Sequence, residues 1–85
     1  MTEKEAIREV LKKRGWSQQR LADVVNERYH MNWKQSNITG MLVGNTTGIR
    51  MDNLYKIFSA LGCEIIIRDT MDGDNERRIT IEEQQ

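Results

Sequence analysis

Several kinds of residue are scarce in this 85-residue chain, and each scarcity argues against a class of protein. The single cysteine, Cys63, cannot form an internal disulfide, which is typical of proteins from a reducing cytosol. The longest apolar runs, such as residues 65–67, have only three or four residues, far fewer than a membrane span requires. The charged N-terminal residues lead directly into a helical pattern, so we expect no signal peptide, no membrane partner and a cytoplasmic location.

Metal ligands and catalytic groups are scarce as well. His30 and Cys63 are the only soft metal ligands, whereas a zinc site needs about four ligands at short spacings. Nothing in the spacing of serine, cysteine, histidine and carboxylates indicates nucleophilic catalysis, and so short a chain leaves little room for a substrate pocket. We therefore expect no metal, no cofactor and no enzymatic activity.

The formal net charge is zero, but the charges are unevenly distributed. Residues 1–50 hold nine Lys and Arg against five Asp and Glu, whereas residues 51–85 hold four against eight. Such a division suggests a basic half that faces nucleic-acid phosphates and an acidic half that faces away from them. Ordinary solvated surface charge is the alternative.

Two helices are predicted at the start of the chain, which has 38% hydrophobic residues and no proline and can therefore build a modest core. The first follows Thr2, which has capping-box spacing to Glu5, and ends at Gly15. The second begins at Ser17, a good N-cap, and runs to about residue 28.

Two further helices follow. Asn32 and Gln35 again have capping-box spacing, so the third helix is expected to begin near residue 33 and to end near residue 43, with Gly44 as its C-cap. The fourth is expected at about residues 51–61, where apolar residues recur with helical spacing, and the glycine that follows should close it.

The segment between the second and third helices breaks the helical pattern. Residues 29–33 must either extend the second helix or form a protruding loop. Tyr29 and Trp33 are expected to be packing residues, and Trp16, just before an N-cap, is expected to staple onto the second helix.

After residue 62 the periodicity changes to that of strands. Residues 63–69 are rich in β-branched side chains, residues 71–75 contain an Asp-Gly turn, and residues 78–82 alternate strictly. The expected organisation is a helical core at residues 1–62 and a β-hairpin at residues 63–85. Since a lone hairpin is barely stable in water, it must pack on the helices or pair with a second copy.

Three motifs, in this order along the chain, resemble the phage repressor and Cro-type (XRE-type) helix-turn-helix domain. They are SQQRLA at residues 17–22, SNITGML at residues 36–42 and LYKIFSALG at residues 54–62. The resemblance covers residues 3–62 and implies a mainly α fold: a lambda-repressor-like four-helix helix-turn-helix core, here with an appended C-terminal β-hairpin. The strand-turn-strand tail is similar to small members in which a C-terminal β element mediates dimerisation.

The third helix then corresponds to the recognition helix. Ile38, Met41 and Leu42 form an inward apolar stripe. The candidates for base readout lie on the opposite face, which contains no acidic residue: Lys34, Gln35, Ser36, Asn37, Thr39 and Gly40. Gln and Asn can pair with adenine through two hydrogen bonds, and Lys34 suits guanine or phosphate. The alternative is an ordinary polar surface helix.

The resemblance also implies phosphate contacts outside this helix. Gln18 stands where the family places a glutamine that bonds a phosphate and braces the recognition helix. Asn45, Thr46 and Thr47 are similar in position to the second backbone-contact loop of the family, and Arg50 is placed to clamp the same phosphate strand. Two intervals are longer than is usual in the family, the turn before the recognition helix and the segment after it.

The sequence thus predicts a sequence-specific DNA-binding transcriptional regulator, a homodimeric repressor of phage or mobile-element type that binds an operator with two-fold symmetry. Dimerisation is assigned to five hairpin residues: Ile65, Ile66, Ile67, Ile79 and Ile81. Two alternatives stay open. One is an antitoxin that autoregulates its operon and binds a toxin through its acidic half. The other is a helix-turn-helix protein recruited to bind a protein, for instance to inhibit a host defence nuclease, which the neutral net charge favours.

Overall fold

The computed structural model describes residues 2–43, 48–69, 71 and 75–79. Within these residues the chain forms four helices and one antiparallel hairpin. The elements are α1 (Glu3–Arg14), α2 (Gln18–Tyr29), α3 (Gln35–Leu42), α4 (Met51–Ala60), β1 (Ile65–Asp69) and β2 (Asn75–Ile79). The mainly helical fold with a C-terminal hairpin predicted from the sequence is confirmed. None of the helices described is long and apolar enough to cross a membrane.

Local capping signals determine where α1 ends and where α2 begins. The Thr2 hydroxyl accepts a hydrogen bond from the backbone N–H of Glu5 at 3.2 Å. Gly15 adopts a left-handed conformation (φ 68°) and closes α1, as predicted. The Ser17 hydroxyl accepts from the backbone N–H of Arg20 at 3.0 Å and caps α2. These contacts are local in sequence, and the sequence therefore predicts them well.

The capping box predicted for the third helix is wrong. Asn32 does not cap it: the N-cap is Lys34, and α3 begins at Gln35, two residues later than expected. The reason lies in α2. The side-chain amide of Asn26 donates to the carbonyl oxygen of Trp33 at 2.8 Å and accepts from its N–H at 2.7 Å. These two bonds hold Trp33 in the loop and delay the start of the helix.

A loop, and not an extension of α2, connects α2 with α3. The helix ends at Tyr29, and His30 has a left-handed conformation (φ 55°) with its N–H bonded to the carbonyl oxygen of Asn26. Tyr29, Met31 and Trp33 are partly buried against the core, as expected of packing residues. The additional length of this connection is thus anchored to the helical core.

The core lies between the four helices. α2 packs against both α3 and α4, and α4 also contacts α1. Its buried side chains are all aliphatic: Ile7, Leu11, Leu21, Ala22, Val25, Ile38, Leu42, Ile57, Ala60 and Leu61. Trp16 and Met41 are partly buried against this cluster. Each large side chain buried in this way contributes about 1.5–3 kcal/mol, and together they stabilise the helix packing.

The end of α4 is bonded to α1. Gly62 follows the helix in a left-handed conformation (φ 76°), as the sequence predicts. The Arg14 Nε donates to the carbonyl oxygen of Leu61 at 2.7 Å. Cys63 then packs partly against the core, and its backbone N–H donates to Phe58 O at 2.8 Å. The chain thus leaves α4 through a fixed connection.

The second strand of the hairpin begins earlier in the chain than predicted. Ile65 pairs with Ile79 and Asp69 with Asn75, so β2 begins three residues earlier than the expected residues 78–82. Alternation of apolar and polar residues in the sequence can locate only the part of a strand that has an apolar face. The polar start of β2 is paired because residues 75–79 run antiparallel along the whole of β1. Ile81 lies outside the described residues.

Candidate nucleic-acid interface

The outward face of α3 is exposed and carries no acidic residue. Burial of Ile38 and Leu42, which are 1% and 3% exposed, fixes the orientation of the helix about its axis. All the residues predicted for base readout are consequently exposed: Lys34, Gln35, Ser36, Asn37, Thr39 and Gly40. A helix that recognises bases in the major groove requires this arrangement: short polar side chains on the exposed face and a buried face that holds the helix in place.

Gly40 leaves the middle of this exposed face without a side chain. Apart from the neighbouring backbone of its own helix, a Cβ atom placed on it would meet no atom of the described residues within 4 Å, so no contact with these residues requires glycine here. Glycine in a helix interior costs about 1 kcal/mol relative to alanine. Its presence therefore favours a close approach of the helix backbone to an external surface.

Asn37 caps the helix on which it stands. Its Oδ1 accepts a hydrogen bond from the backbone N–H of Lys34 at 2.7 Å. The Asn37 backbone N–H in turn donates to the carbonyl oxygen of Lys34 at 3.0 Å. One lone pair of the side-chain oxygen is thus engaged within the helix, which fixes the direction of the amide, and the NH₂ group has no partner among the described residues.

Gln18 connects the start of α2 with the middle of α3. The Thr39 hydroxyl lies 2.5 Å from Gln18 Oε1, to which it donates, and 3.1 Å from the carbonyl oxygen of Gln35. Gln18 is the first residue of α2, where free backbone N–H groups and the helix dipole favour an anion. With its oxygen bonded to Thr39, the Gln18 amide keeps its NH₂ as a donor for a phosphate.

Arg50 occupies the N-cap position of α4, and its side chain is 80% exposed. Its Nε lies 3.4 Å from Oδ1 of Asp52, whose side chain is 44% exposed. Such a solvent-exposed ion pair contributes little, so the guanidinium is readily available to a phosphate. Asn45, Thr46 and Thr47, the other predicted phosphate contacts, lie outside the described residues.

Two residues that sequence reasoning missed hold the ends of α3. The Arg8 guanidinium donates to the carbonyl oxygen of Leu42, the last residue of the helix. Asn26 binds the backbone of Trp33 just before the helix begins. These bonds join side chains to backbone groups of other elements, so no local sequence pattern marks them.

A family comparison agrees with this geometry. The family model described as a Cro/C1-type HTH DNA-binding domain matches residues 6–66, which extend from α1 into β1. Searches of curated proteins and of solved structures give no significant match. The matched segment contains every residue considered above for contact with bases or phosphates.

Proposed function

The chain belongs to the Cro/C1-type HTH DNA-binding family and is a DNA-binding regulator, and we propose that it is a dimeric, sequence-specific transcriptional repressor. The observation that carries the proposal is the exposed polar face of α3, which is seated on buried Ile38 and Leu42. Repression follows when the bound protein blocks polymerase at a promoter, including its own. A small regulator of this kind suits a phage or another mobile element.

In the proposed complex α3 enters the major groove. Its exposed residues face the base edges: Lys34, Gln35, Ser36, Asn37, Thr39 and Gly40. The proposed phosphate contacts come from residues that precede and follow α3 along the chain: Gln18, Asn45, Thr46, Thr47 and Arg50. The bond between Thr39 and Gln18 supports this division, because it couples a phosphate-binding amide to the helix that reads the bases.

The hairpin is the proposed dimer interface. Ile66 is 49% exposed and Ile67 is 50% exposed. Successive strand residues point to opposite faces, so neither face of β1 is fully covered by the part of the chain that the structure describes. Pairing of two hairpins would cover this apolar surface, and we assign Ile65, Ile79 and Ile81 to the same interface. A two-fold axis then places two copies of α3 about 34 Å apart, one turn of duplex DNA.

An antitoxin role is the second candidate. The acidic excess of residues 51–85 lies in the same part of the chain as exposed Ile66 and Ile67. An acidic surface with apolar side chains suits a basic protein partner, which a toxin of the same operon would provide. Pull-down from cell extract with and without nuclease treatment separates the two roles, since a protein partner survives removal of DNA.

Selection of bound sequences from random duplex DNA tests the proposal directly. We expect enrichment of a palindromic motif with half-sites centred about 10 base pairs apart. A single unrepeated half-site would contradict the dimer but keep DNA recognition. No enriched motif at all would contradict sequence-specific regulation.

A further inference from the structure

We propose that Gln35 and Asn37, although both carry a carboxamide, read opposite chemical groups in the major groove. Gln35 reads adenine, whereas Asn37 reads a base with a keto oxygen, guanine or thymine. The inference rests on the proposed base readout by α3 and adds the hydrogen-bond polarity of each side chain. It replaces the sequence-based expectation that both amides pair with adenine.

The first step is the engagement of the Asn37 oxygen. Pairing with adenine requires a donor and an acceptor from the same amide, directed at N6 and N7. In Asn37 the acceptor Oδ1 is directed at the backbone N–H of Lys34, 2.7 Å away. This bond occupies one of its two lone pairs and fixes the direction of the oxygen, so Oδ1 is not free to turn together with the NH₂ group toward N6 and N7 of one base. That N–H lies at the helix start and has no acceptor in a preceding turn of α3. Releasing it in a dehydrated interface would leave an unsatisfied donor, so the cap is retained when DNA binds.

The second step is what a lone NH₂ group recognises. Guanine O6 and thymine O4 are acceptors in the major groove, whereas adenine N6 and cytosine N4 are donors. A side chain that only donates therefore bonds a keto group and opposes an amino group. Adenine N7 also accepts, but its neighbouring amino group disfavours the contact, whereas guanine offers two adjacent acceptors.

Gln35 has no such restriction. It is the first residue of α3, and its side chain is exposed and forms no hydrogen bond to any residue that the structure describes. Its backbone carbonyl, not its amide, lies near Thr39. Gln35 thus retains the donor and the acceptor that adenine requires.

The test exchanges the outward group of Asn37 without removing the cap. In Asn37→Asp one carboxylate oxygen still caps Lys34, and the second replaces the NH₂ donor with an acceptor. Sequences are selected from random duplex DNA with the intact protein, Asn37→Ala and Asn37→Asp. Ser36→Asp places the same charge on the neighbouring exposed residue and measures the general loss of DNA affinity.

The base pair that Asn37 reads is identified as the operator position at which the base preference changes in these variants. There we expect the unmodified protein to favour guanine or thymine by roughly three- to tenfold, and Asn37→Asp to favour adenine or cytosine instead. Ser36→Asp should leave this preference unchanged. Thermal unfolding monitors the fold, and if Asn37→Ala fails to fold, Asn37→Asp alone locates the position.

Three outcomes would overturn the inference: adenine or cytosine at that position with the unmodified protein, the unmodified preference retained in Asn37→Asp, or no position altered by either variant. If the unmodified protein selects no motif, the proposed function itself fails, and this inference fails with it. The two failures are therefore distinguishable.

Discussion

At the scale of single residues, side chains outside the exposed face of α3 hold this helix in place. Asn26 binds both backbone groups of Trp33 before the helix, and Arg8 donates to the carbonyl oxygen of Leu42 at its end. Buried and half-buried backbone groups require such partners. The position of α3 therefore depends on α1 and α2 rather than on its own outward residues.

Asn26→Ala should lower the free energy of unfolding by about 1–3 kcal/mol, because the N–H and carbonyl groups of Trp33 lose their partners in a half-buried loop. Denaturation by urea measures the change. Asn32→Ala is the matched control: Asn32 is exposed, and its replacement should change stability by less than about 0.5 kcal/mol. Equal effects of the two substitutions would contradict the assignment of Asn26.

Arg50→Ala should weaken binding to all DNA sequences and reduce the salt dependence of affinity by about one unit per monomer, because one phosphate contact is lost. Binding titrations over a range of salt concentrations give this slope. Arg28 lies on α2 and donates to the carbonyl oxygen of Ser59, at the end of α4 opposite Arg50. Arg28→Ala removes this charge and serves as the control. It should leave the slope unchanged. An unchanged slope in Arg50→Ala would remove Arg50 from the interface.

The sequence predicted the kinds of side chain at the candidate site better than their hydrogen bonds. Alternation of buried and polar positions on α3 was enough to place Asn37 and Gln35 on the exposed face. The sequence does not predict that Asn37 uses its oxygen to cap the helix, because the capping-box spacing points to Asn32. The start of the helix depends on Asn26, seven residues before Trp33, and local spacing carries no information on that contact.

At the scale of elements, α3 is a short helix of weak helix formers. It spans eight residues, among them Asn37, Thr39 and Gly40. Its intrinsic propensity is low, so burial of Ile38 and Leu42 has to stabilise it. A sequence selected only for stability would not contain this glycine.

Gly40→Ala separates stability from binding. It should stabilise the protein by about 0.5–1 kcal/mol, because glycine loses more backbone freedom on folding and the position has open space. It should also weaken specific DNA binding if the α3 backbone closely approaches the bases. Thermal unfolding and cognate-site titration measure the two effects. Undiminished affinity would show that the helix does not approach DNA closely at this residue.

Gly15→Ala is the control for this pair of measurements. Gly15 has φ 68°, a conformation that alanine adopts only with strain, so the substitution should destabilise the protein by about 1 kcal/mol. It lies between α1 and α2 and is not among the residues assigned to DNA contact. The affinity of the folded fraction for DNA should remain unchanged.

The ends of the elements show where sequence patterns suffice. Thr2, Gly15 and Ser17 act on their own turns, and they define α1 and the start of α2 as predicted. The start of α3 depends on a contact with Asn26, and the start of β2 depends on pairing with β1. Both were displaced from their predicted positions by two or three residues.

At the scale of the whole molecule, the uneven charge explains how a chain with no net charge binds DNA. Eight of the nine Lys and Arg of residues 1–50 belong to α1, α2 or the N-cap of α3, whereas the acidic excess of the second half belongs to residues 64–85. The field near a surface is set by its own charges more than by the molecular total. DNA binding should therefore be steeply salt dependent despite a calculated isoelectric point of about 6.6.

Replacing Ile66 and Ile67 together by glutamate should convert the proposed dimer into a monomer, because four charges would enter an apolar contact between two copies. Both side chains are half exposed in one chain, so the helical core should remain folded. Sedimentation measures the oligomeric state. Affinity for a full operator should fall by at least about a hundredfold through loss of bivalency.

Met71→Glu is the control for that double variant. Met71 is 97% exposed in the turn of the hairpin, and a charge there should leave the oligomeric state unchanged. A double variant that still sediments as a stable dimer would move the interface to the helices.

The engagement of the Asn37 oxygen in the helix cap has an evolutionary consequence. Mutations at Gln35 and Ser36 alter an exposed side chain without touching the core, so new operator preferences can arise there with little loss of stability. A mutation at Asn37 alters the outward group and the cap of α3 at once. Drift at that position is confined to side chains that still present an acceptor oxygen, so lineages descended from this protein should diverge first at residues 35 and 36.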